Sequence, residues 1–432
     1  LLAINLNEFS FEYLKYGAKK YNCKNIIKFL DLKHIKTYSL DKVQDKDLDP
    51  WVQNISMNTG KRSKDHKIYN LGEQIPKKFG QIWDHLSNKK CNSAIWGPMN
   101  TNFTNKKFIK LFMPDPWNNQ SIVKPNELSN FYKLARMYAQ NYTEKKNKIS
   151  FILFLNTTLY IFKNGIILEL LKNFNLFFSV FLKKGLRSYF IFFLFDIVSL
   201  YIFKNQTKNQ KINFSLIFLN SLAHFQHNNW DNKEEEKDYF LFADIILKII
   251  FEILKQYDSL IVYNGFSQKK IKPEFILRPI NPEKFIRSYG VKFSKFHSDM
   301  TNGAILNFKN NNTLKKQLKK IEKINIFGYQ LYETKILKNN NLFCKIKIRS
   351  KKNNFYHFTK KNIKNILFFE KKKKLLKHNV NHDFLSFFNN IRFIKTTGKH
   401  IPNGELFYKN IYLNKKKIEN IKVFNLIQNF FS

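Results

Sequence analysis

Short, wholly apolar runs that stop abruptly at polar residues constrain this chain more than any other feature. LLAINL (1–6) ends at Asn7-Glu8, NSAIWG (92–97) at Pro98-Met99-Asn100, NFSLIFL (213–219) at Asn220-Ser221, and SLIVY (259–263) at Asn264-Gly265. Such runs read as strands buried on both faces. Helical patterns lie between them, at 9–20, 25–32, 77–88, 126–142 and 239–256. Strand alternating with helix argues for an α/β fold around a mostly parallel sheet, and the residues at strand carboxyl ends are where such folds hold ligands. Glu8 therefore has two readings, a site carboxylate or a charge placed to favour a helix N-terminus.

The chain has 432 residues, enough for one large domain with insertions or for two to three domains. The expected division is a core in three pieces (1–145, 211–298 and 386–432), a helical insertion or cap at 146–210, and a small lysine-rich α+β subdomain at 299–385. Pieces such as SYFIFFLFDIVSLYIF (188–203) within 150–204 are very apolar, but Lys163, Lys172, Lys183, Lys184, Arg187 and Asp196 interrupt the region. Its continuous apolar stretches are shorter than the roughly 18–20 residues a membrane span needs, so the region reads as helices packed on the protein, with contact to a membrane surface as the alternative.

The net charge is +43, with lysine runs at 315–323, 345–352, 360–374 and 415–418. It has two explanations. One is drift toward AT-rich codons, in line with the excess of Phe, Ile, Lys and Asn. The other is an anionic partner. Arginine, which reads bases and clamps phosphates, is rare, which weighs against nucleic acid. Cys23, Cys91 and Cys344 are too scattered for a disulfide framework or a structural zinc site and fit a reducing cytoplasm. No secretory signal pattern opens the chain, so the expected location is cytoplasmic, with a membrane-peripheral variant.

Three stretches carry candidate chemistry. LDPWVQNISMNTGKRSKDHKIYNLG (48–72) reads as a turn-rich polar segment holding Asp49, Ser56, Thr59 and His66. Asn220-Ser-Leu-Ala-His224-Phe-Gln-His227 follows a buried strand, and two histidines three apart can share a helix face and a metal. Gly398-Lys-His400-Ile-Pro-Asn403-Gly404 joins two strands near the C-terminus.

Taken as an ordered series, these blocks resemble the alkaline phosphatase superfamily, in its type I phosphodiesterase/nucleotide pyrophosphatase branch. Thr59-Gly60 with His66 is similar to the family's nucleophile block. Asn220 to His224 has the spacing of its Asp-x-x-x-His, and Gly398-Lys-His400 that of its last metal histidine. The whole chain also looks like an uncharacterised bacterial group within the superfamily that carries LNEF, PWVQ-x-x-S-x-x-TG, WGPMN, PDPW and NS-x-AH-x-QH-x-x-W, found here at 6–9, 50–60, 96–100, 114–117 and 220–230. The departures are in the ligands. Asn7 stands where the family has its first metal Asp, Asp49-Pro50-Trp51 where it has the nucleophile, Asn220 for a second Asp, and Tyr263-Asn264-Gly265 for Asp-His-Gly.

The resemblance implies an alkaline-phosphatase-like fold and a hydrolase or transferase acting on an anionic phospho- or sulfo-ester, such as one on a surface polysaccharide or nucleotide-sugar. Two amides and a Tyr cannot hold two zinc ions, so one divalent cation, zinc or manganese, is expected from His224, His227, His400 and Glu8. Asp49, Ser56 and Thr59 are the nucleophile candidates, His66 an orienting or acid/base group, and Asn7, Trp51, Asn100, Asn220 and Asn264 the substrate-binding candidates. The alternatives are a catalytically degenerate member that binds an anionic saccharide and, on charge alone, a basic nucleic-acid-binding protein.

Overall fold

The structure, a computed structural model, describes residues 1–41, 48–76, 78–103, 107–118, 122–141, 150–185, 188–298, 302–326, 329–337, 339–346 and 390–432. The lysine run at 360–374 lies outside them. The described chain falls into two compact units, one of 1–139, 149–270 and 398–432, the other of 140–148 and 271–397. Residues 271–298, grouped with the core on sequence, belong to the second unit.

The first unit is built on an eight-stranded sheet. Its centre is β1 (Leu2–Leu6), parallel to both β5 (Phe214–Leu219) and β6 (Leu260–Tyr263). β3 (Ser93–Trp96) and β4 (Ile109–Met113) continue the sheet in parallel beyond β5. On the other side β15 (Asn403–Lys409) runs antiparallel to both β6 and β2 (Lys33–Tyr38). The alternation within β1 shows why its strand is apolar throughout. Leu2, Ile4 and Leu6 enter one core and Leu1 and Ala3 the other, as a period of two requires of a sheet covered on both faces. The α/β expectation with a mostly parallel sheet holds.

On the first face lie α1 (Phe11–Tyr21), α2 (Lys24–Leu30), α10 (Ser188–Thr207) and α12 (Lys233–Leu254). The second face receives the C-terminal helix Lys422–Phe430 and α5 (Ile82–Asn88). Among the described residues α10 is the one helix long and apolar enough to cross a membrane, yet 61% of that stretch is buried inside the fold. The charged stretch at 232–237 is the start of α12, capped by Asn232 and carrying Glu234, Glu235 and Glu236 in its first turn, where the helix dipole favours acids.

One element differs from the sequence reading and another gives no clear signal in the sequence, each for a physical reason. The polar stretch 48–72 contains a helix, α3 (Pro50–Thr59), begun by a proline at its first position and closed by Gly60 at φ 66°. All ten of its residues are buried, so its Asn, Ser and Thr side chains are internal struts and not loop residues. β2 is a strand despite Lys33 and Lys36, because one face of it looks to solvent.

The second unit is α+β. Strands β8 (Lys295–Ser298), β9 (Gly303–Asn307), β12 (Tyr332–Leu337) and β13 (Asn341–Ile346) form an antiparallel sheet that packs with α13 (Pro282–Ser288) and α14 (Asn311–Glu322) around Leu306, Leu314, Ile321 and Leu342.

Candidate metal centre

Topology brings Glu8, His227 and His400 together at the carboxyl ends of the central strands. Glu8 follows the carboxyl end of β1. β15 is antiparallel to β6 with Leu406 opposite Tyr263, so the residues just before β15 lie beyond the carboxyl end of β6. There β14 (Ile391–Ile401) delivers His400. His227 comes from α11 (Ser221–Asn229), the helix after β5. One atom from each of these three residues lies within 4.8 Å of the others.

The contacts focus on a single oxygen. Glu8 Oε2 is 2.9 Å from His227 Nε2 and 2.9 Å from His400 Nε2. Gln268 Nε2 donates to the same oxygen at 2.6 Å, and Asn7 Nδ2 donates to Oε1 at 3.0 Å. Glu8 is 1% exposed, whereas the His227 and His400 side chains are 31% and 20% exposed, so access runs past the imidazoles. Glu8 holds its backbone at φ 51°, a left-handed conformation uncommon for a residue with a side chain. Strain of this kind persists where the surroundings enforce it, and it often marks sites. Burial opposes ionisation of Glu8, but the charges and hydrogen bonds of His400 and His227 prevail and hold its carboxyl well below the usual range. Burial likewise opposes charge on His400, and Glu8 and then Asp49 outweigh it and raise its pKa.

The donor set suits a divalent cation. Two imidazoles and a carboxylate are a common catalytic zinc set that leaves a fourth position open. His400 Nε2 is buried and makes no aligned hydrogen bond, so a nitrogen able to ligate stands 2.9 Å from the Glu8 carboxylate. Asp49 Oδ1 lies 3.9 Å from His400 Nδ1, on the far side of the ring, and Phe266 meets the ring edge to face at 5.2 Å between centroids.

His224 is not part of this group. Its ring stacks flat on Phe192 at 3.6 Å between centroids, and its Nε2 lies 3.2 Å from Asn220 Nδ2. Burial pushes its pKa down to about 3, so it is a neutral ring. The turn of α11 that points His224 at α10 points His227 at Glu8. The helix start is fixed by Asp196 of α10, whose Oδ2 accepts the amides of Asn220 and Ser221 at 3.0 and 2.8 Å.

Ser56 and His66 do meet, at 3.1 Å, but inside the core. His66 Nδ1 accepts the Ile68 amide at 3.0 Å, so the proton of the neutral ring sits on Nε2 and is offered to Ser56. Burial lowers the His66 pKa to about 4. A ring that donates to the hydroxyl is not its base. Thr59 donates back to Ile55 O at 2.7 Å. Both hydroxyls serve α3, and of the nucleophile candidates only Asp49 is at the cluster.

Of the substrate-binding candidates, Asn7 touches the cluster and the others bond elsewhere. Asn7 Nδ2 also donates to Asn220 Oδ1 at 2.6 Å. Asn264 ties Phe9 O to the Glu405 amide at 2.8 and 2.7 Å. Asn100 accepts the Gly72 amide and donates to Asn70 O, and the Trp51 indole donates to Tyr69 O. Gln268, absent from the sequence candidates, proves central. A neutral amide five residues past the end of β6 carries no signal of its own beyond that location. Gly398 leaves the room it needs, since a Cβ there would strike Gln268 Oε1.

Among solved structures the chain is similar to proteins of the alkaline phosphatase superfamily. Murine ectonucleotide pyrophosphatase/phosphodiesterase 5 matches at TM-score 0.46 and 9% identity, over 100% of this chain and 94% of that one. Phosphonoacetate hydrolase from Sinorhizobium meliloti, with phosphonoformate bound, matches at 0.43 and 9%, over 100% and 95%. A mutant of the alkaline phosphatase PafA matches at 0.43 and 11%, over 99% and 95%. Likenesses this distant assign no activity. No family model matches the sequence. No curated protein sequence matches it either.

Proposed function

We propose that this chain is a hydrolase or transferase of the alkaline phosphatase superfamily that acts on a phospho- or sulfo-ester with one divalent cation held by Glu8, His227 and His400. The convergence of these three side chains from three separate elements carries the reading. Zinc fits two imidazoles and one carboxylate better than manganese, which favours oxygen-rich sets. The cation, when bound, supplies Lewis acidity toward the ester oxygen and a more acidic water.

The chain's own groups then have separable tasks. Gln268 and Asn7 fix the two oxygens of Glu8. Asp49 faces the outer nitrogen of His400 and orients that ring, a partnership that typically tunes a metal-bound imidazole. With Ser56 and Thr59 engaged inside α3, attack on the ester is by water and not by a side-chain hydroxyl. An ester of a surface polysaccharide or nucleotide-sugar is the substrate class we favour, because the exposed faces of two histidines at the mouth suit an anionic group.

The amides Asn7, Asn220 and Asn264 at three strand ends favour a second reading, a degenerate member that binds an anionic saccharide. Metal analysis of purified protein, with hydrolysis of bis-p-nitrophenyl phosphate, separates the two. We expect one zinc per chain, lost in His227→Ala and in His400→Ala together with hydrolysis. Protein that holds no metal and cleaves nothing leaves the binder.

A further inference from the structure

Helices α7 (Phe151–Lys163), α8 (Ile166–Leu171) and α9 (Phe174–Lys184) are apolar on both faces. Inward, Ile166 and Val180 are buried, and Tyr160, Leu170, Leu176 and Phe177 pack on the main core. Outward, Phe151, Ile152, Leu159, Phe162, Leu168 and Leu182 are 56% to 74% exposed. A surface helix ordinarily turns a polar stripe to water, and a helix apolar all round belongs in a core or in lipid. Exposed apolar side chains this many in three successive helices mark an interaction surface.

The charges and lengths select the occupant. Between 151 and 184 stand Lys163, Lys172, Lys183 and Lys184 against the single acid Glu169, on a chain of net charge +43. That excess opposes burying the face against a second copy of itself and favours an anionic layer. The helices have 13, 6 and 11 residues, against about 20 needed to cross a bilayer, so they suit lying in its plane. Apolar side chains sunk to the acyl boundary with lysines at the headgroups is the pattern of an interfacial anchor.

We propose that α7, α8 and α9 dock this protein on an anionic phospholipid surface, with the outward Phe, Ile and Leu side chains inserted among the headgroups. The proposal is independent of the metal centre. Its test is flotation of the full chain with vesicles of phosphatidylcholine alone or mixed with phosphatidylglycerol. The comparison is with a variant carrying Ile152→Ser, Phe162→Ser, Leu168→Ser and Leu182→Ser. Because those side chains are exposed, circular dichroism and Tm stay as in the parent and certify the fold. The expected result is flotation with the anionic vesicles, weaker by at least about tenfold with neutral ones and by at least about tenfold in the variant. Failure to float with anionic vesicles, or flotation that the four substitutions leave unchanged, overturns the proposal. So does a parent that is oligomeric and does not float while the variant is monomeric in sedimentation velocity, since a second copy then covers the face.

Discussion

Asp49 Oδ1 lies 3.9 Å from His400 Nδ1, on the side of the ring opposite the Glu8 carboxylate. In the proposed function Asp49, which occupies the nucleophile position of the resembled family, has a different task. Asp49→Asn should weaken zinc affinity by roughly 10–100-fold with little change in Tm, because it removes the partner of a ligating ring and no ligand. A variant with full metal occupancy and no hydrolysis would show Asp49 reacting with the ester itself.

The two histidines of α11 should separate cleanly. His227→Ala should abolish metal binding at small cost in stability, since that ring is partly exposed. His224→Ala should keep the metal and lower the unfolding free energy by about 1–3 kcal/mol, through loss of its stack on Phe192. Metal content and thermal melts of both variants are the measurements, and reversed phenotypes would contradict the assigned centre.

Ser56→Ala should retain hydrolysis. The substitution removes a hydroxyl that receives the His66 proton inside the core, at a cost of about 1–2 kcal/mol. A loss of activity on the order of 10³-fold or more would restore Ser56 as a nucleophile.

The strand ends were legible in sequence because buried apolar runs stop where the sheet stops, and Glu8 was singled out that way, whereas His400 was singled out by the Gly- and Pro-containing segment that holds it. The choice between His224 and His227 was not, because a spacing of three puts both on nearby faces and only Phe192, far along the chain, decides which ring is covered. α3 was hidden by its own composition. Asn, Ser and Thr read as loop formers until burial supplies them with partners, as the carbonyls of Val52 and Ile55 do for Ser56 and Thr59. Gln268 was invisible for the opposite reason, being a neutral side chain whose importance comes wholly from the oxygen it meets.

Acid should destabilise the fold through His66. Its pKa falls from 6.5 to about 4 on burial, so the folded ring stays neutral where the unfolded one binds a proton. The stability it contributes is present above pH 6.5 and is lost as the pH falls toward 4, by roughly 3 kcal/mol. Urea unfolding across this range should show the slope in the parent and a shallower one in His66→Gln. Parallel curves would place the titration elsewhere.

Gly398→Ala should unseat Glu8 without touching it. A Cβ at 398 meets the Gln268 side chain and, at 2.8 Å, the rigid carbonyl of Gln226. Overpacking of this kind costs about 1–3 kcal/mol, and metal affinity should fall with stability. An unchanged zinc titration would show that Gln268 has room to move.

The carboxylate of Asp196 seats the start of α11 from within α10. The apolar stretch is therefore not a single detachable module. A graft or deletion ending before α10 would remove an outer layer, whereas one that took α10 would cut the tether of the helix that carries His227. Exchange of the first three helices would leave the seat of α11 in place, whereas exchange of the fourth would not.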